Sequence, residues 1–309
     1  MPTSSTYFGM VLRIALLAAI GATAGCRVFR SQQVSDENIS EARRLSLQGL
    51  DAQQRGQWER AESLFAAAIL KCPSDERARY GYAESLWQRG AWQQALSHME
   101  EAVRLSGSDP ERLVRLGQMN LARGDLSRAE GQAELAIAAN SQLFSAWALR
   151  GQVLQAKGDR SAALTSYHRA LSFGSPLPEI QLAIAEIYTQ DNRPQRALAT
   201  LQTLSGSFPP GQVPREIVVR EGLALRDLGR YQDAARTLAR AAQLGEPPLA
   251  LLHELARTQL LAGEIEAARH SVATVLSSDP RHTGCLALAE ELGLRAGSVA
   301  AASATTTPR

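Results

Sequence analysis

The sequence predicts an all-α fold, a solenoid of about seven stacked helix pairs closed by a C-terminal capping helix. Three observations carry this. The phrase "RGQWERAESLF" at 55–65 returns as "RGAWQQALSHM" at 89–99, a spacing of 34 residues. Ala, Leu, Arg, Gln and Glu dominate while aromatics make up only 5%, the mixture of strong helix formers expected of an all-helical chain. Comparing the chain with itself at a shift of 34 aligns whole columns of small residues, which marks one structural unit copied along the chain. Each unit has an apolar face that it cannot bury alone, so it must stack on the next.

The N-terminus stands apart. In "MVLRIALLAAIGATAGC" the stretch Ile14 to Cys26 is 13 residues without a charge, about 20 Å as a helix and short of a hydrocarbon core of about 30 Å. That length suits a signal-peptide core over 1–25 better than a spanning helix. Extending it backwards would bring Arg13 into the bilayer at about 2.5–3.5 kcal/mol. "TAGC" resembles the bacterial lipoprotein signal, which implies that Cys26 is lipidated and becomes the first mature residue; Thr23 stands where that family usually has Leu, Val or Ile. The alternatives are an ordinary Cys26 near a cleaved secretory peptide, giving a secreted protein, and an uncleaved N-terminal anchor. Met10 offers a second start, directly before the basic head. Residues 26–41 are polar and read as a flexible tether averaging about 20 Å end to end.

Units begin at Ala42, Glu76, Pro110, Phe144 and Pro178 (repeats one to five, 42–211), then three residues late at Arg215 and Leu249 (repeats six and seven, within 212–296). Position 8 is small throughout: Gly49, Ala83, Gly117, Gly151, Ala185, Gly222 and Ala256. Position 20 is alanine in all seven, from Ala61 to Ala268, and position 15 is Gly56, Gly90, Gly124, Gly158, Asn192, Gly229 and Gly263, residues that tolerate the left-handed backbone ending a helix. Pro73, Pro209 and Pro280 close units where no further helical hydrogen bond is wanted. "FPPGQVP" at 208–214 holds the one break in register and is expected to bend the array. "TGCLALAEELGLR" at 283–295 reads as the capping helix, with Glu290, Glu291 and Arg295 on its polar side. Residues 297–309 lack periodicity and are expected to be disordered.

These columns resemble the tetratricopeptide repeat, a pair of antiparallel helices whose small residues at positions 8 and 20 let backbones approach; the likeness spans 42–282. It implies a right-handed superhelix, with large apolar residues such as Leu45, Phe65, Met99, Leu113, Trp147, Tyr167, Leu201, Leu238, Leu252 and Val272 between helices. Position 7, usually leucine, is Gln48, Arg150 and Glu221 in three units, which predicts looser packing there. Such repeats bind partners in a groove lined by first-helix positions 2, 5, 9, 12 and 13. On this sequence those positions give Arg43, Leu50 and Gln53, then Arg77, Tyr80, Glu84, Trp87 and Gln88, then Gln118 and Leu121, then Gln152, with Glu186, Gln190 and Arg226 further along. Trp58, Trp92 and Trp147 occupy packing positions. Trp87 does not, and with Tyr80 seven residues earlier on the same face it reads as an exposed aromatic pair suited to a peptide. Ser46 and Leu50 replace the Lys and Asn with which the chaperone-binding class clamps a carboxylate.

Catalytic patterns are lacking. His98, His168, His253, His270 and His282 never fall three to five apart. "HELAR" at 253–257 begins like a zinc-protease motif, but Arg257 replaces the second histidine. There is no phosphate loop and no nucleophile elbow. Neither catalysis nor a metal or other cofactor is expected; His253, Arg257 and Glu290 are the residues on which an enzyme reading would rest. The net charge of +2 compels no nucleic-acid partner, and no small-molecule substrate is expected. Cys72 and Cys285 lie six units apart and are expected to be buried, unpaired thiols. The expectation is a non-catalytic scaffold or adaptor at the bacterial cell envelope, lipid-anchored on the periplasmic side, binding a protein or peptide partner.

Overall fold

The computed structural model describes residues 35–174 and 177–294. The signal segment, Cys26, Arg295 and the C-terminal tail lie outside the described residues. Among the described residues there are fifteen helices and no strand: α1 (Asp36–Gln54), α2 (Trp58–Lys71), α3 (Glu76–Gln88), α4 (Trp92–Leu105), α5 (Pro110–Ala122), α6 (Leu126–Ala139), α7 (Phe144–Ala156), α8 (Arg160–Phe173), α9 (Pro178–Gln190), α10 (Pro194–Ser205), α11 (Arg215–Asp227), α12 (Tyr231–Ala242), α13 (Leu249–Leu261), α14 (Ile265–Ser278) and α15 (Thr283–Glu291). The described residues fall into two compact units, one ending at Met119 and one beginning at Asn120.

Every first helix from α3 to α13 starts on the residue that the 34-residue register assigns to it, and all seven second helices start at position 17. Several helix starts carry side-chain caps. Asp75 accepts from the Arg77 and Ala78 amides (3.0 and 3.1 Å), and Asp125 and Asp159 do the same work for α6 and α8. Position 15 is left-handed in all seven units, Asn192 included at φ 54°. α1 departs from the register. Ser35 caps it through the Asn38 amide (3.2 Å), and Asp36 and Glu37 sit favourably in its first turn, so 36–41 are helix and not tether.

In repeats one, four and six position 8 of the first helix lies directly against position 24 of the second. Position 20 alanines are fully buried, and position 24 is buried in every unit, as Phe65, Met99, Ala133, Tyr167, Leu201, Leu238 and Val272. Where position 24 is a ring, position 8 is glycine. A Cβ on Gly49 would lie 2.7 Å from the Phe65 ring, and one on Gly151 would lie 2.5 Å from the Tyr167 ring. A Cβ on Gly81, in the first helix of the second repeat, would clash with the same Phe65 ring. Ala83, Ala185 and Ala256 stand in the units whose position 24 is Met99, Leu201 or Val272, while Gly117 and Gly222 accompany Ala133 and Leu238, a Cβ on Gly222 lying 2.7 Å from the Leu238 side chain.

Seams between successive repeats use positions 21 and 14. Glu62 meets Arg89 at 2.5 Å, and Glu130 meets Lys157. Between repeats five and six the same two positions are Leu198 and Leu228, in one apolar cluster. The polar residues at position 7 behave differently from expectation. Gln48 is exposed, but Arg150 donates to Ser166 Oγ (3.0 Å), and Glu221 is buried with Arg240 at 3.4 Å. Two of the three positions are thus filled by a polar contact with the unit's own second helix.

The segment between α10 and α11 makes a turn in which the Gln212 amide donates to the Pro209 carbonyl (3.0 Å). Phe208 and Val213 pin it to the Leu201 and Ile217 cluster. α15 closes the C-terminal unit by laying Cys285, Leu288, Ala289 and Leu292 on Val272, Val275 and Leu276, while Glu290 and Glu291 face outwards. Both described cysteines are free; Cys285 is buried, but Cys72 is only half-buried, its Sγ 3.6 Å from Ser74 Oγ.

Candidate binding surface

The expected groove residues of the N-terminal unit divide into three groups. Arg43, Leu50 and Arg77 line a cavity of about 260 Å³ together with Ile39 and Leu47, of which Leu47 is 62% exposed. Gln53 is engaged elsewhere: its amide donates to the Gly81 carbonyl (2.9 Å) and Ser85 Oγ (3.2 Å), bridging α1 to α3. Glu84 holds Arg115 through two bonds of 2.6 and 2.8 Å, and Arg115 also donates to Gln118 Oε1 (3.4 Å). The Arg112 guanidinium lies 5.7 Å from the Tyr80 ring centroid. Burial, and then the Glu84 charge, push the Tyr80 phenol above its ordinary pKa.

The aromatic pair is not exposed as expected: Tyr80 and Trp87 are both half-buried, and it is Trp92 that is 45% exposed. The register explains Trp87. Position 12 packs against position 6 of the following first helix, as Gln53 does on Gly81 and Arg226 on Glu254. Trp87 occupies that same position 12. Gln88 and Gln152 are exposed and Leu121 is half-buried.

An apolar cavity lies in the C-terminal unit, among the first helices of repeats five, six and seven. It measures about 800 Å³ and is lined by Ala185 and Glu186 of α9, Arg215, Glu216, Val219, Arg220, Leu223 and Ala224 of α11, Ala250, Leu251 and Glu254 of α13, and Leu201 beneath. Its size is that of a ligand site. Of its lining, Glu186 and Gln190 belong to the expected groove columns; Val219 and Leu223 fill positions 5 and 9 of the same columns without having been singled out. Their signal is in the sequence, because no other repeat has aliphatic residues at both positions.

The residues of an enzyme reading do not assemble. His253 stands against His282, ring centroids 5.1 Å apart, while Arg257 and Glu290 are exposed. His282 Nδ1 accepts from the Cys285 amide (3.2 Å) and caps α15. Among the described residues no cluster of three or more His, Cys, Asp or Glu side chains could hold a metal, and no helix is long and apolar enough to cross a membrane.

A family model for the tetratricopeptide repeat matches residues 46–110 and 149–211. A search of the curated proteins returns no match. Among solved structures, the C-terminal part of a repeat-containing protein of this kind from Cytophaga hutchinsonii is 12% identical, covering 79% of this chain and 98% of that one at a TM-score of 0.65. PilF of Pseudomonas aeruginosa is 14% identical over 72% of this chain and 100% of its own, with a TM-score of 0.61. YrrB, described as having an unusual peptide-binding site, is 17% identical over 62% and 97% at 0.55. At these identities the likeness is one of fold. Register, helix-pair packing and family match agree, and the chain carries tetratricopeptide repeats.

Proposed function

We propose that this chain is a non-catalytic scaffold or adaptor that holds a segment of a partner protein against its first helices, at the bacterial cell envelope. The observation that carries the binding reading is the 800 Å³ apolar cavity, whose walls come from groove positions of three successive first helices. Side chains buried elsewhere in the fold serve packing, whereas Val219 and Leu223 remain half-exposed around an unfilled space. The envelope location rests on the sequence alone, on the apolar run ending at Cys26.

Site-specific photo-crosslinking tests the groove. A crosslinker at Leu223 is expected to capture a discrete partner, and one at Arg236, exposed on α12, is not; equal capture from both would reject the groove. Intact-mass analysis of the purified N-terminus tests the anchor. A diacylated Cys26 supports it, an unmodified mature end points to a secreted protein, and an intact residue 1 or 10 supports the second reading, a membrane-anchored adaptor with an uncleaved N-terminal helix.

A further inference from the structure

α1 opens the array with an apolar face that nothing among the described residues covers. Ile39, Leu47 and Leu50 are 40, 62 and 40% exposed and line one cavity of about 260 Å³, together with Phe65 and the start of α3. That volume is below the roughly 300–1,000 Å³ of small-molecule sites and suits an inserted side chain. In later repeats position 6 is met by position 12 of the preceding repeat, as Gly81 is by Gln53 and Glu254 by Arg226. Leu47 is position 6 of the first repeat, and no repeat precedes it among the described residues.

What precedes it in the chain is RVFRSQQV, residues 27–34, which lie outside the described residues. The way this segment joins the fold is defined by the cap. Ser35 is the N-cap of α1, so Val34 stands just before the cap and Ile39 at the fourth helical position, the two places that a hydrophobic staple brings together. A staple turns the incoming chain onto the Ile39 side of the helix. Phe29 is five residues before Val34, a reach of up to about 17 Å. Leu47 and Leu50 lie about 12 and 16 Å along α1 from Ile39. Charge selects no occupant here, because Arg43 and Arg77 share the lining with Asp75 and Glu76. Connection does: a segment joined directly to the face meets it at an effective concentration of about millimolar, which a free peptide or a second copy has to reach in solution.

We propose that residues 27–34 fold back on the first repeat, with Val34 against Ile39 and Phe29 in the cavity beside Leu47 and Leu50. The segment then covers the face that a preceding repeat would cover, and fills the part of the expected groove where Arg43, Leu50 and Arg77 lie. It holds Cys26 close to α1 in place of a free spacer. This inference does not depend on the α9–α11–α13 groove.

Limited trypsin digestion of the purified full chain tests it, with mass analysis of the product beginning at Ser31. Docking shields the bond after Arg30, and cleavage follows the undocked fraction. Leu47→Asp and Phe29→Ser are each expected to speed that cleavage at least about tenfold, and the double variant to be no faster than either, since both remove the same contact. Leu47 is exposed, so circular dichroism should not change; if Leu47→Asp unfolds, Phe29→Ser decides alone. Unchanged cleavage in Phe29→Ser would overturn the proposal and leave the face to an outside partner. Effects that multiply in the double variant would overturn it too, as would shielding that fades on dilution, which marks a second copy as the occupant.

Discussion

Gly131 and Gly151 are both mid-helix glycines of the C-terminal unit, and the same substitution should move stability in opposite directions at the two sites. A methyl added at Gly131 meets nothing within 4 Å, so Gly131→Ala gains only helix propensity, about 0.8–1.0 kcal/mol. At Gly151 the new Cβ would lie 2.5 and 2.6 Å from Tyr167 Cε1 and Cδ1, against an ordinary carbon–carbon contact of about 3.5–4.0 Å. The ring would have to retreat by about 1 Å. It is 1% exposed and tethered through its hydroxyl, which donates to Gln155 Oε1 at 2.8 Å. Overpacking of this kind costs about 1–3 kcal/mol. The propensity gain is common to both variants, so the difference between them isolates the clash. Urea unfolding followed by circular dichroism should place Gly131→Ala above the parent and Gly151→Ala below Gly131→Ala by that amount. Pairing Gly151→Ala with Tyr167→Leu recreates the Ala185 and Leu201 combination of the next repeat and should reduce the penalty of the glycine substitution. A Gly151→Ala protein as stable as Gly131→Ala would refute the claim that the Tyr167 ring excludes a methyl group at position 8 of its repeat.

Burial raises the Glu221 carboxyl above its ordinary range, with Ser205 and Arg240 opposing. Its contribution to stability is therefore complete below the ordinary carboxylate pKa and is lost as pH rises through the raised value; Glu221→Gln should flatten that part of a melting-temperature profile, and an unchanged profile would count against it. Asn192 holds φ 54°, so Asn192→Ala should lower stability by about 1–2 kcal/mol while Asn192→Gly does not, as differential scanning calorimetry can show. Gln53→Ala removes the α1–α3 bridge and should weaken amide protection in the first two repeats by about 1 kcal/mol without altering capture from Leu223, which hydrogen exchange and crosslinking together check.

The fold was legible because packing imposes a residue type on fixed positions. Alanine at 20 and a left-handed residue at 15 recur in all seven units, and the register that they set places the start of α3 and of every later helix through α14. α1 escaped that register because its start is decided by a local signal, Ser35 followed by Asp36, Glu37 and Asn38, which no repeat column contains. The binding surface was less legible, since membership of a groove column does not say whether a side chain is already engaged. Gln53 and Glu84 lie on the expected face, yet their partners, Gly81 and Arg115, belong to the following repeat. Trp87 looked available for the same reason, yet it is half-buried, at the position 12 through which Gln53 and Arg226 reach the following repeat. The cavity around Val219 and Leu223 depends on three repeats at once, and its trace in one dimension is a pair of aliphatic residues at positions 5 and 9 that no other repeat has together.

The seam at positions 21 and 14 bears on how such an array changes over generations. Glu62 with Arg89 and Leu198 with Leu228 are joints cut to different keys. Placing the sixth repeat directly after the first would face a carboxylate with a leucine, so duplication or shuffling of a module also demands a matching change in its new neighbour. The order of the repeats is inherited as a string of mutual fits, and is harder to rearrange than the likeness of its parts suggests.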